Sequence, residues 1–446
     1  MKSGRLFLIA LKDQGFPGNI YPVNPEAKEI DGLKSYPSVS AIPGQVDLAI
    51  VLVPHDEALS VVRECATKRV KGVVLFTSGY RETGSDAGKA LEAEFARIAR
   101  ETGMRIIGPN GMGIYSPKSG LSFFPNLSKD PGPVGIVSHS GSLTNILGRM
   151  GSSRGIRFSK VISVGNECDL SCAEFLTYLG QDHETGVIGC YLEGIKDGPL
   201  FLSALRKASL AKPVILWKLG LTPEGSRAAA SHTGALAGFR EIWEGVVRQG
   251  GGLSVWGFEA WVDAIMGFSL LPGSLGDRMA VVSGPGGLAV SAAEACGRAG
   301  LRLAELNAET RSALAAFIPP TGTSLLNPID VGLTASMEIE IYDQAVRTAA
   351  GDPGVDAVVV VGIGLTSEAN GRYTECMIRN HEDLTKPIIM VCIPGFDPAL
   401  VRQSREAGVP FFDSAERAMD TYALVRRYQC WREAGVWKTA SDSWGE

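Results

Sequence analysis

Val134-Gly-Ile-Val-Ser-His-Ser-Gly-Ser-Leu-Thr-Asn-Ile-Leu147 decides the architecture of this chain. Its first residues, 134–137, are a short apolar run with β-branched side chains, as in a strand buried on both faces. Small residues follow at Ser138, Ser140, Gly141 and Ser142, and from Leu143 onward the spacing is helical. A strand, a tight turn and a helix in that order belong to a parallel α/β sheet, where ligands sit beyond the carboxyl ends of the strands. The turn is also a candidate anion site. Small residues let backbone N–H groups approach a phosphate, and the helix dipole favours negative charge there. Such turns are equally common as plain folding elements, so both readings stand.

The same alternation runs outward in both directions. Further buried strands are predicted over 46–53, 70–76, 105–107, 187–191, 213–217, 279–282, 357–361 and 387–392. Helical spacing fills stretches such as 56–68 and 87–101. Turn-rich segments at 128–133 and 271–277 divide the chain into expected domains 1–128, 129–275 and 276–446. An internal echo supports the second cut. Gly135-Ile-Val-Ser-His-Ser-Gly-Ser142 matches Ala280-Val-Val-Ser-Gly-Pro-Gly-Gly287, and Ala211-Lys-Pro-Val-Ile-Leu216 matches Thr385-Lys-Pro-Ile-Ile-Met390. The second and third domains are therefore expected to share one fold, although the repeated residues could serve folding alone.

Composition narrows the function. With 446 residues, 45% hydrophobic and 20% charged, the chain is globular in character. A net charge of -5 provides no basic field for nucleic acid or anionic lipid. No apolar run reaches the ~20 residues of a spanning helix, and residues 1–14 read as an amphipathic helix rather than a cleavable leader. Eight cysteines, scattered singly except for Cys168 and Cys172, fit a reducing, cytoplasmic setting better than a disulfide framework. No second pair or His cluster completes a metal site around Cys168 and Cys172.

The segment Lys218-Leu-Gly-Leu-Thr-Pro-Glu-Gly-Ser-Arg-Ala-Ala-Ala-Ser-His-Thr-Gly-Ala-Leu-Ala-Gly238 is almost devoid of core-forming side chains. It reads as a loop carrying His232, with a helix after it through about Val247. A surface loop with an incidental histidine is the bland reading. The sharper one is that a neutral imidazole attacks phosphorus, its tautomer fixed by a carboxylate. Glu193, just past a predicted strand end, is the candidate partner. His139 lies inside the small-residue turn and is read as lining the site. His55, His183 and His381 are expected at the surface.

Tyr191-Leu-Glu-Gly-Ile-Lys-Asp-Gly198, Lys212-Pro-Val-Ile-Leu-Trp-Lys-Leu-Gly220 and Ser231-His-Thr-Gly-Ala-Leu-Ala-Gly238 together resemble the α subunit of NDP-forming acyl-CoA synthetases. These are the ADP-forming acetyl-CoA synthetases, relatives of succinyl-CoA synthetase. Gly18-Asn-Ile-Tyr-Pro-Val-Asn-Pro25, Gly108-Pro-Asn-Gly-Met-Gly113 and residues 155–166 extend the likeness over nearly the whole chain. The resemblance implies an α/β protein of three doubly wound domains. The first is a Rossmann-like CoA-binding domain whose first strand and glycine turn are missing here, and two flavodoxin-like succinyl-CoA-synthetase-type domains follow it. It implies that His232 is phosphorylated, that Glu193 holds its imidazole, and that Ser140, Gly141 and Ser142 cradle the phosphate. CoA would be lined by Val23, Pro25, Val53, Pro54, Thr77, Ser78 and Asn110, with Gly111 where a cysteine is often found.

The implied activity is an acid–CoA ligase that interconverts acyl-CoA, ADP and phosphate with organic acid, CoA and ATP. It runs through an acyl phosphate and a phosphohistidine. In that family the nucleotide is bound by an ATP-grasp module, and this chain shows no P-loop, so the resemblance implies a separate ATP-grasp β subunit that brings ATP or ADP and Mg²⁺, making a hetero-oligomer. Two other readings are weighed. One is a non-catalytic CoA- or acyl-CoA-binding accessory protein. The other is a nicotinamide dehydrogenase, which the lack of a GxGxxG fingerprint with a downstream acid disfavours. Ser283-Gly-Pro-Gly-Gly287 and Asn327-Pro-Ile-Asp-Val331 have no nucleophile beside them and are read as structural or docking elements.

Overall fold

Three short parallel strands make the first sheet. They are preceded by α1 (Ser3–Gln14) and a small hairpin of β1 (Glu29–Ile30) and β2 (Leu33–Lys34). The sheet has the order β3-β4-β5: β3 (Leu48–Val51), β4 (Gly72–Leu75) and β5 (Arg105–Ile107). The crossovers are α2 (His55–Thr67) and α3 (Asp86–Thr102), within two residues of the helical spacing read from sequence. Ser85 caps α3 by accepting from the Gly88 N–H, and Gly103 ends it in the left-handed conformation that glycine adopts without strain. The computed structural model describes residues 3–233, 238–333, 338–362, 366–392 and 396–434. Among them, no helix is long and apolar enough to cross a membrane.

The second sheet has six strands in the order β11-β10-β9-β7-β8-β6. They are β6 (Gly113–Tyr115), β7 (Pro131–Ser138), β8 (Phe158–Ser163), β9 (Val187–Leu192), β10 (Val214–Lys218) and β11 (Leu253–Ser254). All neighbours are parallel except β6, which runs antiparallel to β8. The helices are α4 (Gly141–Met150), α5 (Cys172–Gln181), α6 (Gly198–Ala211), α7 (Pro223–Thr233) and α8 (Arg240–Gly250). β8 was not foreseen, because Lys160 interrupts its apolar pattern. The ammonium leaves the sheet to meet Asp182 at 2.8 Å and Glu184 at 2.7 Å, so one charge is tolerated in a strand otherwise buried.

A second compact unit comprises Ser152–Ile156 with Gly257–Glu446, the first being Met1–Gly151 with Arg157–Trp256. It begins with α9 (Phe258–Leu270), β12 (Arg278–Ser283), α10 (Gly286–Arg298), β13 (Arg302–Leu303), α11 (Ala308–Ala315) and β14 (Ile329–Asp330). It continues with α12 (Ile339–Gly351), β15 (Ala357–Gly362), α13 (Ser367–Asp383), β16 (Ile388–Cys392), α14 (Pro398–Glu406), β17 (Phe411–Phe412) and α15 (Ala415–Ala434). The sheet is parallel in the order β13-β12-β15-β16-β17, with β14 also on β12. β15 and β16 are buried throughout, which is why they read as unbroken apolar runs.

The internal echo corresponds to one repeated fold. β8-β7-β9-β10-β11 in one sheet parallels β13-β12-β15-β16-β17 in the other. Equivalent turns are tied alike: Ser138 Oγ donates to the Ser140 carbonyl and Ser283 Oγ to that of Pro285, both at 3.0 Å. The Lys-Pro pairs also match in role. Lys212 Nζ donates to the Leu179 carbonyl at 2.7 Å and to that of Asp182, at the end of α5, while Lys386 Nζ donates to that of Asp352, at the end of α12. Each lysine satisfies carbonyls that a helix terminus leaves open. Asn327 is structural as well. Its amide accepts from the Val281 N–H and donates to the Met279 and Ala304 carbonyls, tying β12 to the neighbouring chain.

Candidate active site

The carboxyl ends of β7, β8, β9 and β10 meet where the strand order reverses, the usual ligand crevice of a doubly wound sheet. At the end of β7, Ser140 is the N-cap of α4, its Oγ accepting from the Leu143 N–H at 3.3 Å. Helix geometry leaves the Gly141 and Ser142 N–H groups without intrahelical acceptors, and Ser142 is exposed. An anion can therefore reach this helix start.

Glu193 follows β9 and is buried. Its carboxylate accepts from Tyr191 Oη at 3.2 Å, and its main-chain N–H donates to His139 Nδ1 at 2.9 Å. The other ring nitrogen of His139, Nε2, lies 3.0 Å from Glu167 Oε1. Since Nδ1 accepts, Nε2 carries the proton of the neutral ring and donates to Glu167. Both nitrogens are thus engaged, and His139 is buried. Burial raises the Glu167 carboxyl, but the hydrogen bonds from His139 and the Cys172 N–H, with the nearby Lys196, bring it below the ordinary range.

His139, Glu167 and Cys172 bring three potential ligand atoms within 4.8 Å of one another. Hydrogen bonds already join them, and burial pushes the Cys172 thiol well up. Lys218 closes the site from β10. It is buried, and its Nζ donates to the Glu193 carbonyl at 2.9 Å and to that of Leu219. Burial lowers its ammonium pKa to about 8, partly offset by Glu193.

His232 is carried differently from the expectation. The side-chain-poor stretch is a helix, α7, rather than a loop. Its alanines are the best helix formers, so the lack of core side chains did not make it irregular. Past its middle, Ala229 is buried and lies against Gly220, which also approaches the Glu193 carbonyl. His232 is three residues farther along α7; its side chain, and residues 234–237, lie outside the described residues, and with them the pairing expected between His232 and Glu193.

Five of the seven expected CoA residues share the carboxyl edge of the first sheet. Val53 and Pro54 follow β3, Thr77 and Ser78 follow β4, and Asn110 follows β5. Thr77 Oγ1 donates to the Val53 carbonyl at 2.7 Å and the Asn110 N–H to the Thr77 carbonyl at 3.0 Å, so the three loops are laced together. Val23, which bridges to Tyr36, and Pro25 are exposed on the segment before the hairpin, while Pro54 and Ser78 are exposed on this edge and leave it accessible. It adjoins the second sheet: Asn110 Nδ2 donates to Asn166 Oδ1 at 3.4 Å. A Cβ at Gly111 would stand 2.8 Å from the Ser163 carbonyl, and one at Gly165 2.2 Å from that of Pro109, so the two loops can touch only as glycines.

Two histidines depart from expectation. His183 is exposed, but His55 and His381 are half-buried. The His55 ring lies 4.8 Å from that of Tyr80, and burial lowers the His381 pKa. A cavity of about 970 Å³ between α5, α6 and β6 is lined by none of the expected site residues.

Three family models match in the same order: a CoA binding domain over 1–117, a succinyl-CoA ligase like flavodoxin domain over 131–268 and a ligase-CoA domain over 279–379. The α subunit of acetate–CoA ligase (ADP-forming) II from Pyrococcus furiosus is 37% identical over 420 residues, covering 92% of this chain and 90% of that protein. This chain belongs to the family of ADP-forming acetate–CoA ligase α subunits. The α subunit of ligase I from the same organism is 33% identical, covering 97% of this chain and 94% of its own. Among solved structures, the dinucleotide forming acetyl-coenzyme A synthetase 1 of Ca. Korarchaeum cryptofilum, in complex with phosphate and ADP, superposes with a TM-score of 0.86. It is 32% identical and the match covers 98% of this chain and 95% of that one. For this ligase-family chain the three-domain α/β reading holds. Sequence reading had not assigned Glu167, Lys196 or Lys218. The available signal was a charged residue directly after a buried apolar run, as at Lys218 after Val214–Trp217.

Proposed function

We propose that this chain is the catalytic α subunit of an acid–CoA ligase that forms ATP from ADP through phosphorylated His232. A phosphate oxygen attacks the thioester carbonyl; the C–S bond breaks, CoA leaves as the thiol and an acyl phosphate remains. The His232 imidazole then attacks phosphorus, and the P–O bond to the acyl group breaks to release the carboxylate. Glu193 offsets the positive charge on the ring, and the α4 start with Ser140, Gly141 and Ser142 holds the phosphoryl oxygens. Transfer to ADP breaks the P–N bond and regenerates neutral His232. Little covalent work falls to other side chains, so positioning and charge dominate.

The observation that carries this reading is the convergence of three things at one sheet edge. They are the open α4 helix start, the buried Glu193, and Ala229 of the helix that bears His232. CoA, which supplies the thiol, fits the accessible edge formed by Val53, Pro54, Thr77, Ser78 and Asn110, with Val23 and Pro25 on the segment before the hairpin. A domain division near 128 assigns CoA to the first domain and phosphoryl transfer to the second. An ATP-grasp β subunit is proposed to hold the nucleotide with Mg²⁺, in a cytoplasmic hetero-oligomer; the α-subunit names of the relatives support a partner. Family membership favours turnover over an accessory CoA-binding role.

The test is to incubate the chain and its partner with γ-labelled ATP and Mg²⁺ and follow acid-labile label. Wild type should be labelled and His232→Asn should not. Equal labelling of the two would remove His232 from the mechanism.

A further inference from the structure

The main chain of one residue in this site is held on both sides by ionisable side chains. The Glu193 N–H donates to His139 Nδ1 at 2.9 Å, and the Glu193 carbonyl accepts from Lys218 Nζ at 2.9 Å. His139 reaches across from the β7–α4 turn and Lys218 from the end of β10, so the grip spans three adjacent strands. The imidazole is itself oriented by Glu167. All four residues are buried, at 5–8% exposure.

Packing alone does not explain these choices. Backbone groups at strand ends are readily paired by main chain or water, and a desolvated ammonium opposes folding unless something needs it. Burial already lowers the Lys218 ammonium to about 8. We infer that His139 and Lys218 are positioning residues that fix the Glu193 main chain, and through it the carboxylate, relative to the phosphate-binding start of α4. The inference rests on the phosphohistidine reading above. His139 joins the two halves of that site, since it lies one residue before the Ser140 cap and binds Glu193 directly. A displacement of Glu193 by about 1 Å would cost on the order of 100-fold in rate while leaving CoA and nucleotide binding intact.

The experiment uses the chain with its nucleotide-binding partner, acetyl-CoA, phosphate and ADP as substrates, and single-turnover labelling of His232 from ATP. His139→Asn retains an acceptor where Nδ1 stood, whereas His139→Gln reaches only the Nε2 position. The pair differs little in polarity and size. We expect His139→Gln and Lys218→Met to lower kcat and the labelling rate by about 10- to 100-fold, with KM for acetyl-CoA within about twofold. His139→Asn and Lys218→Arg should recover to within about fivefold. His139→Gln and Lys218→Met rates equal to wild type, with wild-type labelling intact, would overturn this inference alone. Equal recovery by Gln and Asn would overturn it too. Wild-type label that survives His232→Asn would overturn both this inference and the reading beneath it.

Discussion

Lys218 stands at the end of a strand whose other residues are apolar, with its ammonium against two carbonyls rather than a carboxylate. Its pKa of about 8, against 10.5 for the free side chain, has a stability consequence of definite sign. Between those values the unfolded chain holds the proton and the folded chain releases it, so stability rises with pH across the window. The free-energy difference between wild type and Lys218→Met should therefore shift toward wild type by up to about 3 kcal/mol from pH 7.5 to 10.5, read from urea unfolding at each pH. A flat difference would mean the ammonium is still solvated in the folded protein. The other half of the residue-scale picture is Glu193, whose place after a strand was legible in sequence because a carboxylate directly follows an apolar run. Its supports were not. His139 and Glu167 lie 54 and 26 residues away along the chain, and only the β8-β7-β9 strand order makes them neighbours.

Elements were most readable where they were most buried. All nine strands expected from apolar runs are present, because a central parallel strand must be apolar on both faces. Two of the elements that the sequence reading did not pick out were missed for opposite causes. β8 hides behind Lys160, whose charge is satisfied outside the strand, while α7 hides in an alanine-rich stretch that gives no amphipathic pattern. The Lys-Pro repeat shows how a motif can be structural: in both sheets the lysine closes the end of the helix one βα unit upstream, α5 or α12. Lys212→Met and Lys386→Met should each lower the unfolding free energy by about 1–2 kcal/mol, the net worth of a part-exposed hydrogen bond from a charged donor. Neither change should alter His232 labelling, since neither lysine approaches the site. Asn327→Ala removes three hydrogen bonds from inside a sheet and should cost more, about 2–4 kcal/mol, by the same urea measurement.

At the scale of the molecule, the second compact unit gathers segments that the sequence separates. Besides Gly257 onward it takes in Ser152–Ile156, where Arg154 pairs with Glu259 at 2.9 Å and the Ser153 carbonyl accepts from Arg405 Nη1 at 3.0 Å. Its first helix, α9, lies upstream of the turn-rich 271–277 stretch, yet it packs on α15 at the far end of the unit. Arg417 of α15 makes the join, with Nε 2.6 Å and Nη2 2.8 Å from the two oxygens of Asp263 and Nη2 2.7 Å from Glu259. The Asp263 carboxylate is almost wholly buried, and burial raises its pKa despite the guanidinium. Removing Arg417 would therefore leave an uncompensated buried charge, a defect of about 3–5 kcal/mol. The same defect in reverse follows from cutting the chain at 275, which strips α9 away and leaves Arg417 without its two principal carboxylates. A fragment starting at 276 should accordingly be less stable than one starting at 257 by at least that amount, and Arg417→Met in the intact chain should reproduce the loss. Urea midpoints of the two fragments that coincide would show that α9 contributes nothing to this unit, and that the Arg417–Asp263 pair only decorates a core already complete without it.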